Sequence, residues 1–304
     1  MKKLAPIVLF TYNRLNTLRT TIQFLKKNKL ANYSNIYIYS DFYKSNADKH
    51  NVLKVRKYLK SIKGFNQKKI ILRKKNYGLA KNIINGVGEV LKGNTKVIVL
   101  EDDIKVSKYF LDYMNQTLNL YKNKKKIWHI SGWNYNVKVS NSYDAYFTRT
   151  MNCWGWATWK DRWKYFNKNP NEIIKKWSNK DVYRFNFDGS YNFFSQIERN
   201  KSKKINTWAI FWYATIFQNK GLCLNPKKTL VSNIGIGNSA SNTKSFDDVF
   251  NGNASNLVFL PKKFPTKLTE NKYIFSVIRN KFLIMKVRNK IKYFFKRLVI
   301  KNKD

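Results

Sequence analysis

Cysteine and histidine are nearly absent from the 304 residues, with two of each. Cys153 and Cys223 lie far apart with no partner at metal-ligand or redox spacing, which excludes a zinc module and a disulfide framework and points to a reducing, cytoplasmic setting. His129 sits inside an apolar run and reads as a core residue, while His50 lies in a Lys-rich polar stretch and offers nothing specific. No uninterrupted apolar run approaches the ~18 residues needed to cross a bilayer. The apolar stretch after Met1–Lys2–Lys3 is cut by Pro6 and closed by Thr11–Tyr12–Asn13–Arg14, too soon for a secretory signal. A glycine-rich phosphate loop of the kinase or P-loop kind is also missing, so phosphoryl transfer has little support. Acids are scarce as well: 17 Asp and Glu face 60 Lys and Arg, for a formal charge of +43.

A charge of that size ordinarily suggests nucleic acid or an anionic membrane. Here Lys is spread along the whole chain, Asn is abundant everywhere and Arg is scarce, so a compositional bias accounts for much of it without a partner. With 43% hydrophobic and 16% aromatic residues the chain is globular and long enough for a substantial core.

Against so few acids, Glu101–Asp102–Asp103 stand out, three in a row after the apolar run Val97–Ile98–Val99–Leu100. The run reads as a buried strand of a parallel sheet. Adjacent carboxylates repel one another, and the usual relief is a hard divalent cation; neutralisation by nearby Lys is the simpler alternative. Upstream, Ile7–Phe10, Ile36–Tyr39 and Lys69–Leu72 are strands, and Ile127–Ile130 follows as another. Between them, apolar residues at helical spacing (Leu15, Leu18, Ile22, Leu25; Val52, Val55, Leu59; Ile83, Val87, Val90; Phe110, Met114, Leu118) predict amphipathic helices, with Asn13 as one N-cap. Strands alternating with helices predict a doubly wound α/β half over residues 1–135. Ligands in such sheets bind outside the carboxyl ends of the strands, where Asn13, Asp41, Asn76 and Asp103 all fall.

From about residue 140 the texture is aromatic and less periodic. Trp156, Trp159 and Trp163 have helical spacing and read as core, whereas Trp154 and Trp208 are candidates for exposed platforms that stack on sugars. Ser232 to Thr243 reads as a loop able to close over a ligand. Tyr273 to Ile300 predicts a basic amphipathic helix with the apolar stripe Val277, Ile284, Val287, Ile291, Phe294 and Leu298. Such a helix suits an anionic membrane surface, or docks on its own domain.

Taken together, Pro6 to Arg14, Asn76–Tyr77–Gly78–Leu79–Ala80, Glu101–Asp102–Asp103 and Ile130–Ser131–Gly132–Trp133–Asn134 resemble nucleotide-sugar glycosyltransferases of the GT-A fold. The likeness is to bacterial family-2-like sugar transferases and the N-acetylglucosaminyltransferase I type, and it covers residues 5–245. It implies a Rossmann-like, mostly parallel central sheet. Residues 1–135 would be the nucleotide-sugar-binding half, 136–268 the aromatic-rich acceptor half of the same domain, and 269–304 a basic amphipathic helix. It also implies transfer of a sugar from a nucleoside diphosphate, UDP-type, to an acceptor hydroxyl with Mn²⁺ or Mg²⁺ bound. Carried over by position, Thr11, Tyr12, Asn13 and Arg14 line the nucleotide pocket, Asp41 faces the base, and Gly78 and Lys81 lie near the donor. Glu101 belongs with the donor-binding residues, Asp102 contacts ribose or sugar, and Asp103 is the metal ligand.

The sequence departs from the pattern at the general base, which in the N-acetylglucosaminyltransferase I type lies between two tryptophans. Here that segment is Trp208–Ala209–Ile210–Phe211–Trp212, with no acid. The base must come from elsewhere, with Asp188 first and Glu198 second; Asp161, between Lys160 and Arg162, is a poor base. The sequence thus predicts a metal-dependent inverting glycosyltransferase, peripheral on the inner face of the plasma membrane. It would act on a glycan or lipid-linked acceptor in bacterial surface polysaccharide synthesis. The alternatives are a basic nucleic-acid-binding protein, a sugar-nucleotide-binding subunit without activity, and a nucleotidyltransferase.

Overall fold

The computed structural model of the chain describes residues 3–135, 137, 142–235 and 259–301. Its first strand, β1 (Ile7–Thr11), is buried along its whole length. Alternate side chains leave it on opposite faces, and both faces are covered. Ile7 and Leu9 join Leu18, Ile22 and Leu25 of α1 (Leu15–Lys26), while Val8 and Phe10 join a second cluster with Ala80, Ile83 and Val87. β2 (Asn35–Ser40), α2 (Asn46–Ser61), β3 (Gln67–Leu72), α3 (Gly78–Lys92) and β4 (Lys96–Glu101) follow in strict alternation. β4 repeats the two-faced pattern, with Ile98 and Leu100 on one side and Val97 and Val99 on the other. That is why these strands read as continuous apolar runs.

After β4 come the short β5 (Ile104–Val106), α4 (Phe110–Leu120), β6 (Ile127–Ser131), β7 (Ala145–Thr148) and β8 (Trp156–Trp159). Four short helices, α5 (Lys160–Trp163), α6 (Pro170–Lys176), α7 (Asn179–Phe185) and α8 (Phe194–Lys201), lead to α9 (Ala209–Gln218). β9 (Leu222–Pro226), β10 (Val231–Asn233) and α10 (Lys272–Lys301) complete the fold. The main sheet has eight strands in the order β3-β2-β1-β4-β8-β6-β9-β7. Pairing is parallel from β3 through β4 and between β6 and β9, and antiparallel around β8 and at β7. The mostly parallel sheet is thus as expected. β5 and β10 form a separate antiparallel ribbon directly beyond the acids.

Two local expectations need correction, and a third is narrowed. Asn13 does not cap α1: Arg14 precedes the helix, and the Asn13 amide donates to Asp48 Oδ1 at 2.8 Å. Trp156 and Trp159 belong to a strand, not a helix; β8 is buried at all four positions, so no polar alternation marks its period, and only Trp163 is helical. All three are nonetheless core residues, and Trp156 stacks on Trp208 with centroids 5.2 Å apart. The predicted C-terminal stripe is not the side of α10 that docks. Ile274, Phe275, Ile278, Phe282 and Met285 are buried against the domain, whereas Ile284, Val287 and Ile291 are exposed. Phe294 and Leu298 side chains, and most of the Ser232–Thr243 loop, lie outside the described residues.

The docked end of α10 is held by one cation. Arg149 donates through Nη2 to Glu270 Oε2 at 2.7 Å and through Nη1 to Asp188 Oδ1 at 3.0 Å, and its guanidinium lies 4.3 Å from the Phe275 ring centroid. Phe275 in turn stacks on Phe187 at 4.2 Å. Removing the guanidinium strands two partly buried carboxylates. Arg149→Met should therefore lower stability by about 2–3 kcal/mol in urea unfolding, most of it recovered by adding Glu270→Gln.

Candidate active site

A cavity of about 490 Å³ opens where β1, β2 and β4 end and α3 begins. Thr11, Tyr12, Asn13, Arg14, Asp41, Gly78 and the three acids line it. Trp154, Gln196, Asn206, Thr207, Trp208 and Asn233 line it as well. A larger groove of about 830 Å³ lies at the amino ends of β1 and β4, where Lys96, Lys122, Lys160, Arg162 and Lys164 stand with Asp161 among apolar and amide side chains. The first is the better site, because ligands in such sheets bind outside the carboxyl ends of the strands, and there Arg14 and three acids converge.

Arg14 organises the acids. Its Nη2 donates to Asp102 Oδ1 at 2.5 Å, and its Nη1 to Asp103 Oδ2 at 2.9 Å. The Tyr12 main-chain N–H adds a bond to Asp102 Oδ2 at 3.1 Å, and the Thr21 hydroxyl donates to the Asp102 carbonyl at 3.1 Å. Burial still pushes Asp102 up to about 6 against the pull of Arg14. Glu101 lies outside the guanidinium fork. Burial, helped by the charges of Asp103 and Asp102, pushes it up to about 8, so it holds its proton at neutral pH. Burial works against the Arg14 charge too, but the two aspartates outweigh it and raise its pKa.

Asp41 lines the cavity and also holds main chain in place. Its Oδ1 accepts from the Phe42 and Tyr77 main-chain N–H groups at 2.9 Å each, and its Oδ2 from Gly78 N–H at 2.9 Å. The carboxylate thereby clamps the Asn76–Gly78 turn to the end of β2. Gly78 opens α3 at φ +69, a left-handed conformation that glycine adopts without strain. Tyr12 reaches outward, its hydroxyl accepting from Lys44 N–H at 3.0 Å, and burial raises it to about 12.

The other candidates separate cleanly. Lys81 is on the exposed side of α3, its ammonium 5.1 Å from the Tyr77 ring centroid, and does not line the cavity. Trp208 lines it but is only 3% exposed and packed on Trp156, so it is a wall and not an exposed platform. Trp154 is half-buried, edge-on to Trp133 at 5.2 Å. Neither candidate base lines the cavity: Asp188 is ion-paired with Arg149, and Glu198 is exposed on α8. His129 is a core residue. Its Nδ1 accepts from Trp212 Nε1 at 3.2 Å, which leaves Nε2–H for the Asn152 carbonyl at 2.9 Å, and burial lowers it to about 3.

Sequence reasoning missed Gln196, Asn206 and Thr207, and it reached Gly235 only as part of the Ser232–Thr243 loop, without its contact to the acids. Gly235 lies over the acid pair: a Cβ there would stand 2.3 Å from Asp103 Oδ2 and 2.7 Å from Arg14 Nη1. The neighbouring Ile234 N–H donates to the Asp103 carbonyl at 2.8 Å. The Gly- and Asn-rich composition after β10 was the available signal, but nothing local says which carboxylate the segment meets.

The profile of the GNT-I family matches residues 1–182. The chain belongs to the GNT-I family. This is a family of GT-A glycosyltransferases, as the motifs implied, and its matched segment carries Arg14, Asp41, Gly78 and all three acids. Gln196, Trp208 and Gly235 fall beyond it. No curated protein sequence matches the chain. Among solved structures it is similar to residues 1–349 of S. aureus TarS, at 10% identity and a TM-score of 0.43, over 75% of this chain and 59% of that one. The mannosyltransferase PcManGT from Pyrobaculum calidifontis, in complex with GDP-Man and Mn²⁺, is similar at 7% identity and a TM-score of 0.38, over 72% and 70%. The galactosyltransferase LgtC, in complex with donor and acceptor sugar analogues, gives 11% identity and 0.35, over 69% and 70%. The chain thus spans less than two thirds of the TarS fragment.

Two outcomes are expected from this site. In the folded protein Glu101 keeps a proton that the unfolded chain releases above about pH 4.5, so its contribution to stability falls as pH rises from there towards 8. Glu101→Gln, scanned without divalent cations, should match wild type near pH 4 and melt a few degrees higher at pH 8. Gly235→Ala should displace the segment from Arg14 and Asp103, weakening nucleotide binding about tenfold or more in calorimetry while the melting temperature changes little.

Proposed function

We propose that this GNT-I family chain transfers a sugar from a nucleoside diphosphate, UDP-type, to a hydroxyl of a glycan or lipid-linked acceptor. The setting we infer is bacterial surface polysaccharide synthesis at the inner face of the plasma membrane. The observation that carries the reading is the Arg14–Asp102–Asp103 constellation at the carboxyl end of β4, in a cavity also lined by indoles, amides and a hydroxyl.

The residues fit a divalent cation held jointly with the donor. Among the described residues no group of three His, Cys, Asp or Glu could hold a metal ion alone. Asp103, which lines the cavity, would supply a ligand, and a hard cation would complete its oxygen shell from diphosphate and water. Such a cation stabilises negative charge on the departing diphosphate. Arg14 is the chain's own contribution to the same task, a fixed positive charge beside the phosphate site. Asp102 holds that guanidinium in place. Trp208 and Trp154 exclude water from one side, while Gln196, Asn206 and Thr207 offer hydrogen bonds to acceptor hydroxyls.

Inversion requires a group that takes the acceptor proton. Neither Asp188 nor Glu198 provides it from its place in the fold, and the described residues of the acceptor wall include no carboxylate. That observation favours one second reading, a subunit that binds the donor without turnover. Product analysis separates them: transfer with an inverted anomeric centre supports the enzyme, and donor binding with no product supports the subunit.

The decisive test is calorimetry of nucleoside diphosphates with and without Mn²⁺ on wild type, Asp103→Asn and Arg14→Ala. One diphosphate should bind wild type in a Mn²⁺-dependent manner, and each substitution should weaken it about tenfold or more. A folded wild type that binds no diphosphate would refute the reading.

A further inference from the structure

α10 has two apolar faces, and only one of them is used by the fold. Ile274, Ile278, Phe282 and Met285 recur at helical spacing and are buried in the domain core, with Phe275 beside them. Tyr273, Ile284, Val287 and Ile291 are 62%, 53%, 56% and 50% exposed. Counted from Tyr273, the other three stand 11, 14 and 18 positions on, which at ~3.6 residues per turn returns each to one side of the helix. This ridge points away from the docked face. The 30 residues from Lys272 to Lys301 contain ten Lys and Arg and no Asp or Glu, and Lys272, Lys286, Arg288 and Lys290 are exposed among the described ones. No described helix is long and apolar enough to cross a membrane.

We propose that the outer face of α10 is a docking ridge for an anionic lipid bilayer, on which the helix lies in the interface plane while its inner face stays locked to the domain. The composition selects this occupant. An apolar row bordered by Lys and Arg suits the boundary between acyl chains and anionic headgroups, where the long basic side chains reach the phosphates. A second copy of the chain is the poorer fit, because two such faces would bring the exposed Lys272, Lys286, Arg288 and Lys290 of both copies together with no acid on either helix to offset them. The clamp at Arg149 gives the arrangement its sense: a helix fixed to the body at one end orients the whole domain on the surface, where a flexible tether would not. The inference deepens the membrane setting proposed above and rests on the helix, not on the sugar-transfer chemistry.

The test uses the full chain, sedimented with vesicles of phosphatidylcholine alone or with phosphatidylglycerol added. A protein this basic adsorbs on anionic vesicles by bulk charge, so the informative variant is Ile284→Ser/Val287→Ser/Ile291→Ser, which leaves the charge unchanged. Wild type should bind the anionic vesicles and not phosphatidylcholine alone. The triple variant should bind about tenfold or more weakly, with unchanged circular dichroism. Lys286→Gln/Lys290→Gln should weaken binding as well and flatten its salt dependence. Equal binding by wild type and triple variant would overturn the proposal. So would a wild-type dimer, seen by light scattering, that dissociates in the triple variant while vesicle binding is unchanged. Ridge-dependent vesicle binding in a protein that binds no diphosphate would sink the transferase reading and leave this one standing.

Discussion

Three consecutive carboxylates buried at the end of a central strand are unstable alone, and a single guanidinium makes them tolerable. Arg14 reaches Asp102 and Asp103 because β1 and β4 are parallel neighbours whose ends lie side by side. At Glu101 burial and the two neighbouring aspartates outweigh the pull of that cation, and the side chain keeps its proton instead. The requirement propagates outward. The turn after β1 must deliver Arg14 and the Tyr12 N–H together, and the segment after β10 must approach closely enough that only glycine fits at position 235. The ion pairs of Arg14 with Asp102 and Asp103 are what let the strand end in three acids there.

In a chain with 17 acids among 304 residues, the carboxylates sit at joints. Asp41 ties the β2 end to the start of α3, and Asp48 receives the Asn13 amide. Asp144 accepts from the Lys262 and Lys263 main chain, anchoring the approach to α10. Asp188 and Glu270 meet on Arg149. The excess of Lys therefore says little about the fold, while Asp41, Asp48, Asp144, Asp188 and Glu270 each join two segments of the chain.

Much of the first half was legible because its strands are covered on both faces and its helices on one, so that run length and the 3.6 period separate them. The same rule failed at Trp156–Trp159, where a buried strand happens to place tryptophans three apart. Arg14, Gly78 and the acid triplet could be found because they cluster in short motifs at strand ends. Asp188 and Glu198 could not be judged that way: whether an acid lines a cavity or meets Arg149 depends on contacts 39 and more residues distant, which no local pattern records.

By itself the sequence determined the alternation of strands and helices up to about residue 135, the placing of the acids at a strand end, and a C-terminal helix too basic and too polar to span a bilayer. These follow from local periodicity and composition, which act within a turn or a strand. Tertiary structure alone decided that Arg14 neutralises the acid pair, that Asp41 clamps a turn, that Trp208 is a buried wall, and which of the two apolar faces of α10 is covered. Each of those outcomes is a choice of partner across the fold, and partners are selected by packing and by the cost of burying an uncompensated charge.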